Sequence, residues 1–567
     1  MSTLLPVSVT DLPVPIRGLP LPSLYKRFSR DGDCMFREVA IPLHVDHAFR
    51  VAWKTRKRAF YERGFNIRQD NGKWMLNQWL RIGDKGSLTL TQVGQERLDG
   101  LLIPTTGELG LKSAAPTFSL PELPFGLADK LRGYQVEPTK QLYRALMNGR
   151  VEWGYAGAFD GSDMGTGKTY MDLAAMIAAG RTPAILCPTV GMAGWQRACD
   201  HFGITPYFIS TYEAVRGGFR PTIAQDIGGV FHWKNADKIG IIFDEAQALR
   251  HDDTLTVRCC SAAIRQGIPI IMASATVATS PLEMRFVGRV TGLHKGAEDW
   301  EHFLAAHGCL KARTTWKWDG QDHHLARINT RLFPRRGCRV RKQDLGELCP
   351  ETIIETLAFD IPEARRIEQK WQEANELLDR MARQGVRESV LKVKERNIRQ
   401  KIWKESEMAL VEPLAVRIRQ DVMDGNSVAI FMNFNDTRIR LSRLLNTNAG
   451  FYGGQPLARR QYYEREFQAN REHILISNVG AGGASVSLHD IHGERPRVSY
   501  IFPTDHVVKF EQATGRVDRV GGKSVSRQFI PHVAGSLTER MIAGLRRKMR
   551  RIATINDGHQ AADSSRF

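Results

Sequence analysis

The most informative stretch of the chain is Gly161-Ser-Asp-Met-Gly-Thr-Gly-Lys-Thr169. An apolar segment from Trp153 to Phe159 precedes it and predicts a strand, and a helical pattern from about Lys168 to Ala179 follows it. A strand, a glycine-rich loop and a helix N-terminus, in this order, form a cradle whose backbone N–H groups point at an anion. The stretch therefore predicts a phosphate-binding loop in an α/β fold, although Ser162 stands where the strict motif has its first glycine.

The end of this loop carries the two side chains that a nucleoside triphosphate and its metal would need. Lys168 would reach the β and γ phosphates, and the hydroxyl of Thr169 would hold Mg²⁺. The alternative is an ordinary glycine-rich turn before a helix, which gives neither residue a reason to be there. ATP and Mg²⁺ are therefore the predicted ligands.

A second apolar strand, predicted from Ile239 to Phe243, ends in two adjacent carboxylates. Two charges at the end of a buried strand are costly without a cation or another partner. Asp244 can hold Mg²⁺, and Glu245 can orient and deprotonate an attacking water. A chance strand end remains possible, but the pairing with Lys168 favours hydrolysis of the nucleotide.

Three further groups of polar residues follow predicted strands or lie on a predicted helix. In an open α/β sheet, ligands sit off the carboxyl ends of the strands, which places Thr189 and Ser210 near a substrate backbone. The sequence Ser274-Ala-Thr276 ends another strand and could link the nucleotide to that backbone. Arg516 and Arg519 are three apart, which predicts one helical face and a fork of guanidinium donors for a γ-phosphate.

The composition indicates a polyanionic partner. The chain has 567 residues, which is enough for three to four domains of ~150 residues each. Its 80 Lys and Arg exceed its 61 Asp and Glu, so that the net charge is +19. This excess favours a nucleic-acid backbone over an anionic membrane, for which no basic amphipathic helix with a strong apolar face is found. A generally basic surface is the alternative.

The cysteines and the apolar runs exclude several other classes of protein. None of the 8 cysteines forms a Cys-x-x-Cys pair, so we expect neither a zinc site nor a disulfide scaffold. No apolar run reaches the ~20 residues that span a bilayer. The N-terminus has no basic head followed by an apolar block, so a secretion signal is not expected. The prediction is a cytoplasmic protein.

The sequence predicts six segments. They are a Pro-rich arm (1–22), an N-terminal α+β accessory domain (23–112), a linker (113–130), a first α/β lobe (131–330), a basic run with a helical bridging segment (331–424), and a second α/β lobe with a basic tail (425–567). The accessory domain contains a predicted hairpin with Asn71-Gly72 as its turn. Its basic helix from His47 to Arg63 suits nucleic-acid contact, and a solvated face is an equal alternative. The basic tail could hold phosphates or be solvated.

These motifs, taken in order, resemble those of the superfamily-two helicases, most closely the Swi/Snf-type DNA translocases. The resemblance covers about 130 to 530. It rests on Leu131-Arg-Gly-Tyr-Gln135, Ser162-Asp-Met-Gly-Thr-Gly-Lys-Thr169, Leu186-Cys-Pro-Thr189 with Trp195-Gln-Arg197, Ile209-Ser-Thr-Tyr-Glu213, Asp244-Glu-Ala-Gln247, Ser274-Ala-Thr276, Ala481-Gly-Gly-Ala-Ser-Val-Ser-Leu488 and Gln512-Ala-Thr-Gly-Arg-Val-Asp-Arg-Val-Gly521. Any one motif is weak, whereas the ordered set is strong.

The chain departs from the Swi/Snf pattern at four places. That group usually has His where Gln247 stands, and its third motif is commonly Gly-Thr-Pro-like, whereas Ser274-Ala-Thr276 is the general helicase form. Ser487 stands where Asn is usual, and Asp518 stands where His is common. The chain thus lies at an edge of the group. It also lacks room for the chromatin-reading modules of that group, so the resemblance implies a bacterial or viral setting.

The resemblance implies two tandem RecA-like lobes, with parallel sheets flanked by helices and ATP in the cleft between them. Its implied catalytic residues are Lys168, Asp244, Glu245, Arg516 and Arg519, and its Mg²⁺ ligands are Thr169 and Asp244. Its implied ATP-binding residues are Arg132, Tyr134, Gln135, Met164, Gly165, Thr166, Gly167, Lys168, Thr169 and Gln512. Its implied coupling and nucleic-acid residues are Thr189, Ser210, Gln247, Ser274, Thr276, Gly482 and Gly483.

Three functions follow from this sequence. The first is a DNA-stimulated ATPase that translocates on double-stranded DNA and remodels forks or protein–DNA complexes. The second is a DNA or RNA helicase that separates strands. The third, from another class, is a nucleic-acid-binding subunit whose ATPase switches a partner complex. We expect a monomer, with any protein partners bound through the N-terminal domain.

Overall fold

The computed structural model describes residues 119–216, 224–227, 230–250, 255–312, 315–318, 320–482 and 486–558, together with five strands nearer the N-terminus. The chain divides into two compact units. The smaller one comprises Met1–Ser119 and Ala297–Gln321, and the larger one comprises Leu120–Gly296 and Asp322–Phe567. The Pro-rich arm and the predicted helix from His47 to Arg63 lie outside the described residues.

The described residues form the following elements. The strands are β1 (Lys26–Phe28), β2 (Cys34–Ala40), β3 (Asn66–Asp70), β4 (Lys73–Ile82), β5 (Leu88–Leu90), β6 (Gly157–Asp160), β7 (Thr182–Leu186), β8 (Phe208–Ser210), β9 (Ala224–Ile227), β10 (Val230–Trp233), β11 (Ile239–Asp244), β12 (Ile270–Ala273), β13 (Cys309–Ala312), β14 (Thr315–Trp318), β15 (Gly337–Cys338), β16 (Thr352–Phe359), β17 (Ser427–Met432), β18 (Ile474–Asn478), β19 (Arg497–Ile501) and β20 (Ser526–Val533). The helices are α1 (Gly133–Trp153), α2 (Lys168–Ala178), α3 (Met192–Phe202), α4 (Tyr212–Arg216), α5 (Leu255–Arg265), α6 (Arg285–Val290), α7 (Ala297–Ala306), α8 (Asp322–Leu332), α9 (Ala364–Arg383), α10 (Glu388–Ala409), α11 (Val411–Met423), α12 (Asn435–Leu444), α13 (Leu457–Gln468), α14 (Val479–Gly482), α15 (Val507–Thr514) and α16 (Leu537–Asp557). Among these helices, none has the length and apolar character needed to cross a bilayer.

The smaller unit is built on an antiparallel sheet with the strand order β1-β2-β4-β3, and β5 also pairs with β4. Strands β3 and β4 pair with Asp70 opposite Lys73, so that Asn71 and Gly72 connect them. The predicted hairpin is therefore confirmed. The unit also contains α7 and an antiparallel pair formed by β13 and β14.

The first lobe of the larger unit is a parallel six-stranded sheet with the order β15-β6-β12-β11-β7-β8. Its central strands are fully buried, as their near-continuous apolar sequences predict. The sequence suggested that the strand before the phosphate loop begins at Trp153, but it begins at Gly157. Trp153 instead ends α1, because Gly154 adopts a left-handed conformation (φ 88°) that terminates the helix.

The second lobe is a parallel five-stranded sheet with the order β16-β20-β19-β17-β18. Helices cover it, and its core includes Ile430, Tyr500 and Phe529 on one side and Phe431, Phe467 and Phe510 on the other. The two sheets confirm the predicted fold of two tandem RecA-like α/β lobes.

Two strands lie inside the segment 331–424 that was predicted as a basic run and a helical bridge. Strand β15 pairs with β6 of the first lobe, and β16 pairs with β20 of the second. Arginines surround β15 in the sequence and conceal its apolar character, and a Cβ at Gly337 would lie 2.0 Å from the carbonyl oxygen of Phe159. The rest of the segment forms α9, α10 and α11. The domain boundaries themselves stay predictions.

The C-terminal helix α16 follows the second lobe in sequence but ends against the first lobe. The Asn329 side chain donates to the carbonyl oxygens of Ile555 (3.0 Å) and Asn556 (2.7 Å). In turn, the Asn556 side chain donates to the carbonyl of Ala275, in the middle of the predicted coupling sequence Ser274-Ala-Thr276 (2.7 Å). Part of the predicted basic tail is thus a structural connection, since Arg550 also pairs with Asp322.

A buried ion network holds this end of α16 to the phosphate loop. The Arg339 guanidinium contacts the carboxylates of Asp163 (2.8 Å) and Asp557 (2.7 Å), and it donates to the Gly161 carbonyl (2.7 Å). Burial acts to lower the pKa of Arg339, but the two carboxylates raise it above its ordinary value. Removing one partner of a buried network leaves uncompensated charge, which is strongly destabilising.

We expect Arg339→Met to lower the free energy of unfolding by about 3 to 5 kcal/mol, because Asp163 and Asp557 would remain buried without their cation. Urea unfolding followed by circular dichroism measures the change. The matched control is Arg341→Met, which removes an exposed pair with Asp344 and should cost about 0 to 1 kcal/mol. Equal shifts for the two variants would contradict the structural role of Arg339.

Candidate nucleotide site

The phosphate loop adopts a conformation that requires its glycines. Gly165 and Gly167 have φ values of 82° and 89°. A Cβ at Gly167 would also lie 2.2 Å from the side-chain nitrogen of Gln135. Helix α2 begins immediately afterwards at Lys168, as predicted, so its free N–H groups open at the loop. The loop therefore has the backbone form of an anion cradle.

The Lys168 ammonium lies inside the loop in this structure. It donates to the carbonyl oxygens of Ser162 (2.9 Å) and Asp163 (3.1 Å). Both acceptors belong to the loop itself, so the lysine is held at the place where a phosphate would enter. Thr169 lies next to it and lines the same cleft.

The start of α1 supports the loop from behind. Tyr134 donates from its hydroxyl, and Gln135 from its side-chain nitrogen, to the carbonyl of Thr166 (2.9 and 3.1 Å). The other end of the Gln135 side chain accepts from the Arg132 backbone N–H (3.0 Å). The structure thus brings these three predicted ATP-binding residues to the loop, where their observed contacts position the backbone.

Asp244 lies at the end of β11, and both of its carboxylate oxygens accept hydrogen bonds. One accepts from the indole N–H of Trp195 (2.8 Å) and the other from the backbone N–H of Glu245 (2.9 Å). Burial and then the Glu245 charge raise the pKa of Asp244 to about 6. Tyr212 donates to the Asp244 carbonyl (2.8 Å). Both aromatic donors lie in predicted motifs, but their contacts with Asp244 were not predicted, since the donors lie 49 and 32 positions away and no local pattern indicates the pairing.

A chain of hydrogen bonds leads from Glu245 to the end of β12. Glu245 has a left-handed backbone (φ 54°) and accepts from the side chain of Gln247. The Ser274 hydroxyl donates to Gln247 (2.6 Å) and accepts from the backbone N–H of Thr276 (3.1 Å). Arg250 donates to the Thr276 carbonyl. Three of the predicted coupling residues, Gln247, Ser274 and Thr276, are thereby joined to the acidic pair of Asp244 and Glu245.

The other predicted coupling and binding residues are more scattered. Thr189 lines the cleft, whereas Ser210 is buried at the end of β8 and does not. Gln512 lies on α15 and is not among the residues that line the cleft. Gly482 is the last residue of α14, and Gly483 lies outside the described residues.

The sequence predicted that Arg516 and Arg519 lie on one helical face, and this prediction is wrong. Both residues reach the cleft from a turn. Helix α15 ends at Thr514, and Gly515 follows as its C-cap. Arg519 donates to the Ser487 hydroxyl (2.9 Å) and to the Gly515 carbonyl (3.2 Å). Arg516 donates to the Val486 carbonyl (3.3 Å). The turn brings both guanidiniums into the cleft.

The turn that carries Arg516 and Arg519, called the arginine turn below, contacts the phosphate loop directly. A Cβ at Gly165 would lie 3.0 Å from the side chain of Arg519, and one at Gly515 would lie 3.1 Å from that of Met164. Burial and the Arg519 charge lower the pKa of Arg516 to about 9, while the Glu245 charge opposes this change. The acidic residues of the first lobe and the arginines of the second therefore influence one another.

Glu464 on α13 is a charged residue of the cleft that the sequence did not predict. Its carboxylate accepts from the Ser487 backbone N–H (2.7 Å). Burial raises the pKa of Glu464, whereas its hydrogen bond with Ser487 and the positive charges of Arg519 and Arg197 lower it. Glu464 is thus a local counter-charge for the arginine turn.

Residues of both lobes enclose one cleft of 950 Å³. The first lobe contributes Lys168, Thr169, Asp244 and Glu245, and the second contributes Glu464, Arg516 and Arg519. No cluster of three or more His, Cys, Asp or Glu side chains that could hold a metal occurs in the described part of the chain.

Comparison with known proteins adds a relative and a structural neighbour. No model of a known protein family matches the chain. The chain is 28% identical over 482 residues to a protein of Acanthamoeba polyphaga mimivirus described as a "Putative ATP-dependent RNA helicase". The aligned part covers 79% of this chain and 88% of the viral protein.

Among solved structures, the chain is similar to Saccharomyces cerevisiae Dbp5 bound to RNA and ADP BeF3. The sequence identity is 13% and the TM-score is 0.42, over 75% of this chain and 91% of Dbp5. The fold itself is established by the two parallel sheets. The chain thus combines two parallel α/β sheets with sequence similarity to a protein described as a putative ATP-dependent RNA helicase.

Proposed function

We propose that the chain is an ATP-driven motor that moves along double-stranded DNA. One observation carries the proposal: Arg516 and Arg519 of the second lobe line the same cleft as Lys168 and the acidic pair of the first lobe. Because groups from both lobes would hold one nucleotide, hydrolysis would weaken the attachment between the lobes and let them move. A net charge of +19 and the resemblance to DNA translocases support duplex DNA as the track.

In this proposal, the protein groups of the cleft act by positioning and by neutralising charge. The loop N–H groups and Lys168 bind the β and γ phosphates, which requires the lysine to exchange its two loop carbonyls for phosphate oxygens. Arg516 and Arg519 stabilise the negative charge that the γ-phosphate oxygens carry in the transition state. Glu245 orients the attacking water and accepts its proton.

The donor set of the cleft fits Mg²⁺. The Thr169 hydroxyl and the Asp244 carboxylate are hard oxygen ligands, and burial makes a cation favourable next to Asp244, whose pKa is raised to about 6. Bound Mg²⁺ would supply neutralisation of the phosphate oxygens. Trp195 and the Glu245 N–H would hold the Asp244 carboxylate in one orientation, which is what an outer hydrogen-bond partner contributes to a metal ligand.

The hydrogen bonds from Glu245 to Ser274 would couple the nucleotide to the nucleic acid. Gln247 contacts the water-activating carboxylate with its side-chain nitrogen and Ser274 with its side-chain oxygen. A change at Glu245 during hydrolysis would therefore be transmitted to the end of β12. The family's Swi/Snf members usually have His at this place, and a Gln amide supplies the same pair of contacts, a donor and an acceptor.

Strand separation on RNA is the second candidate function. The viral relative is described as an RNA helicase, and Ser274-Ala-Thr276 has the general helicase form. A third candidate, the ATPase switch of a larger complex, has no observation of this kind in its favour.

We expect the wild-type chain to hydrolyse ATP faster with duplex DNA than with single-stranded DNA or RNA, because a translocase engages both strands of its track. Steady-state ATPase rates with the three polymers measure this preference. Triplex displacement without duplex unwinding is expected alongside it. Unwinding of an RNA duplex would favour the second candidate, and stimulation by a protein partner but by no nucleic acid would contradict the motor.

We expect Lys168→Ala to abolish hydrolysis and to leave salt-sensitive DNA binding, since the lysine contacts the phosphate loop and lies in the nucleotide cleft. ATPase assays and binding titrations at several salt concentrations test the two parts. Lys140→Ala is the control, because that ammonium pairs with the exposed Glu122 and should be dispensable. A folded Lys168→Ala chain that no longer binds DNA would show that the two functions are not separable.

We expect Trp195→Phe to raise the Mg²⁺ concentration for half-maximal ATPase activity by about 10-fold or more, because Asp244 loses the indole donor that orients it. A Mg²⁺ titration at saturating ATP measures the change. The control is Trp233→Phe, which removes another buried indole hydrogen bond of the first lobe, to the Cys259 carbonyl. The positioning role would be wrong if both variants had the wild-type Mg²⁺ requirement, or if both changed it equally.

A further inference from the structure

A second cavity, the edge pocket, lies on the second lobe away from the nucleotide cleft. It has a volume of 410 Å³, and three arginines surround it: Arg438 and Arg443 from α12, and Arg459 from α13. Tyr452 lies between them, after the segment that hydrogen-bonds to β18 through Ala449 and Phe451. Because β18 is the last of the labelled strands on this side of the sheet, the edge pocket marks one border of the lobe.

The edge pocket concentrates positive charge without acidic partners. None of its lining residues is acidic. Other arginines of this lobe pair with carboxylates, as Arg440 does with Glu412 and Arg471 with Glu466. Within the described residues, no ion pair compensates the three arginines of the edge pocket. Three cations around one cavity repel one another, so the arrangement favours an anionic ligand.

The contacts of Arg438 show how the edge pocket is built. Its guanidinium lies over the Tyr452 ring, 4.4 Å from the ring centre, and burial lowers its pKa. Its Nε–H is buried and has no hydrogen-bond acceptor among the described atoms. Such a donor is costly unless a ligand accepts from it. The rest of the lining is mostly polar and uncharged: Ser442, Asn446, Thr447 and Asn448, with Ile439 as its aliphatic member.

We propose that the edge pocket binds the phosphate backbone of nucleic acid, an inference that rests on the proposed motor function. Guanidiniums recognise phosphates with paired donors, and they do so without reading the bases. The pocket would therefore anchor the track on the second lobe independently of its sequence. It adds three cations, at positions 438, 443 and 459, to the residues predicted to contact nucleic acid.

A direct contact connects the edge pocket with the nucleotide cleft. The carbonyl of Tyr452, whose side chain lines the edge pocket, accepts a hydrogen bond from Arg460 (2.7 Å). Arg460 lines the nucleotide cleft and is the neighbour of Arg459 in the chain. A phosphate in the edge pocket would thus hold the start of α13, which also carries Glu464 of the cleft. Track binding and nucleotide binding would act on one helix.

The double variant Arg443→Gln/Arg459→Gln tests the proposal. Both residues are exposed, so the lobe should fold normally. The dependence of log Kd on log salt concentration should become shallower by about 1.4 for single strands and about 1.8 for duplex, which is the loss of two phosphate contacts. ATPase activity without nucleic acid should be unchanged, and more nucleic acid should be needed for half-maximal stimulation.

The matched control is Arg380→Gln/Arg383→Gln, which removes the same charge from the exposed surface of α9. The proposal requires this control to keep the wild-type salt dependence. An unchanged slope in the test variant, or an equal loss in both variants, overturns it, because the second result would indicate a diffuse basic surface. Weaker binding of inorganic phosphate with an unchanged slope also overturns it. A wild-type chain that binds no nucleic acid would instead refute the motor function itself.

Discussion

The nucleotide cleft is organised by charges that are unfavourable on each lobe alone. On the first lobe, burial and Glu245 raise the pKa of Asp244 to about 6. On the second, burial and Arg519 lower the pKa of Arg516 to about 9. Each lobe thus buries a charged group of the cleft, where the charge is costly. The Glu245 charge opposes the shift of Arg516, so each face partly stabilises the other. A nucleoside triphosphate and its metal carry both signs, and would balance the cleft more completely than closure of the lobes alone.

The two lobes are also joined behind the phosphate loop. The backbone N–H of Lys342 donates to the Asp163 carboxylate (3.0 Å), and its ammonium donates to the Asp518 carboxylate (2.7 Å). Asp163 belongs to the phosphate loop, and Asp518 lies between the two arginines of the turn. Lys342, together with Arg339 and the end of α16, makes the phosphate loop part of a framework that reaches into both lobes. Asp518 is one of the departures from the Swi/Snf pattern. Its carboxylate pairs with the Lys342 ammonium, and the more usual His could not form this ion pair because it carries no negative charge.

The features that could be predicted from sequence are those in which local pattern and function coincide. The central strands and the start of α2 follow from apolar runs and from the glycines of the loop, because few other structures accept these residues. Strand β15 was missed since it is two residues long and lies among arginines. The helical face for Arg516 was wrong because Gly515 ends α15 first. The contacts of Trp195 and Tyr212 with Asp244, and the place of Glu464 in the cleft, could not be predicted, since these contacts join distant parts of the chain and no spacing encodes them.

Hydrogen bonds lead outward from the predicted catalytic residues in both lobes. In the first lobe they run from Glu245 through Gln247 to Ser274, and the end of α16 meets the same sequence at Ala275. In the second, Arg519 donates to Ser487, whose N–H is held by Glu464 on α13, the helix that begins beside the edge pocket. Ser487 stands where the Swi/Snf pattern usually has Asn, and its hydroxyl accepts the hydrogen bond from Arg519. Each lobe therefore connects its half of the nucleotide cleft to a separate outer surface. A motor needs this arrangement, because one hydrolysis event must change the grip of two lobes differently.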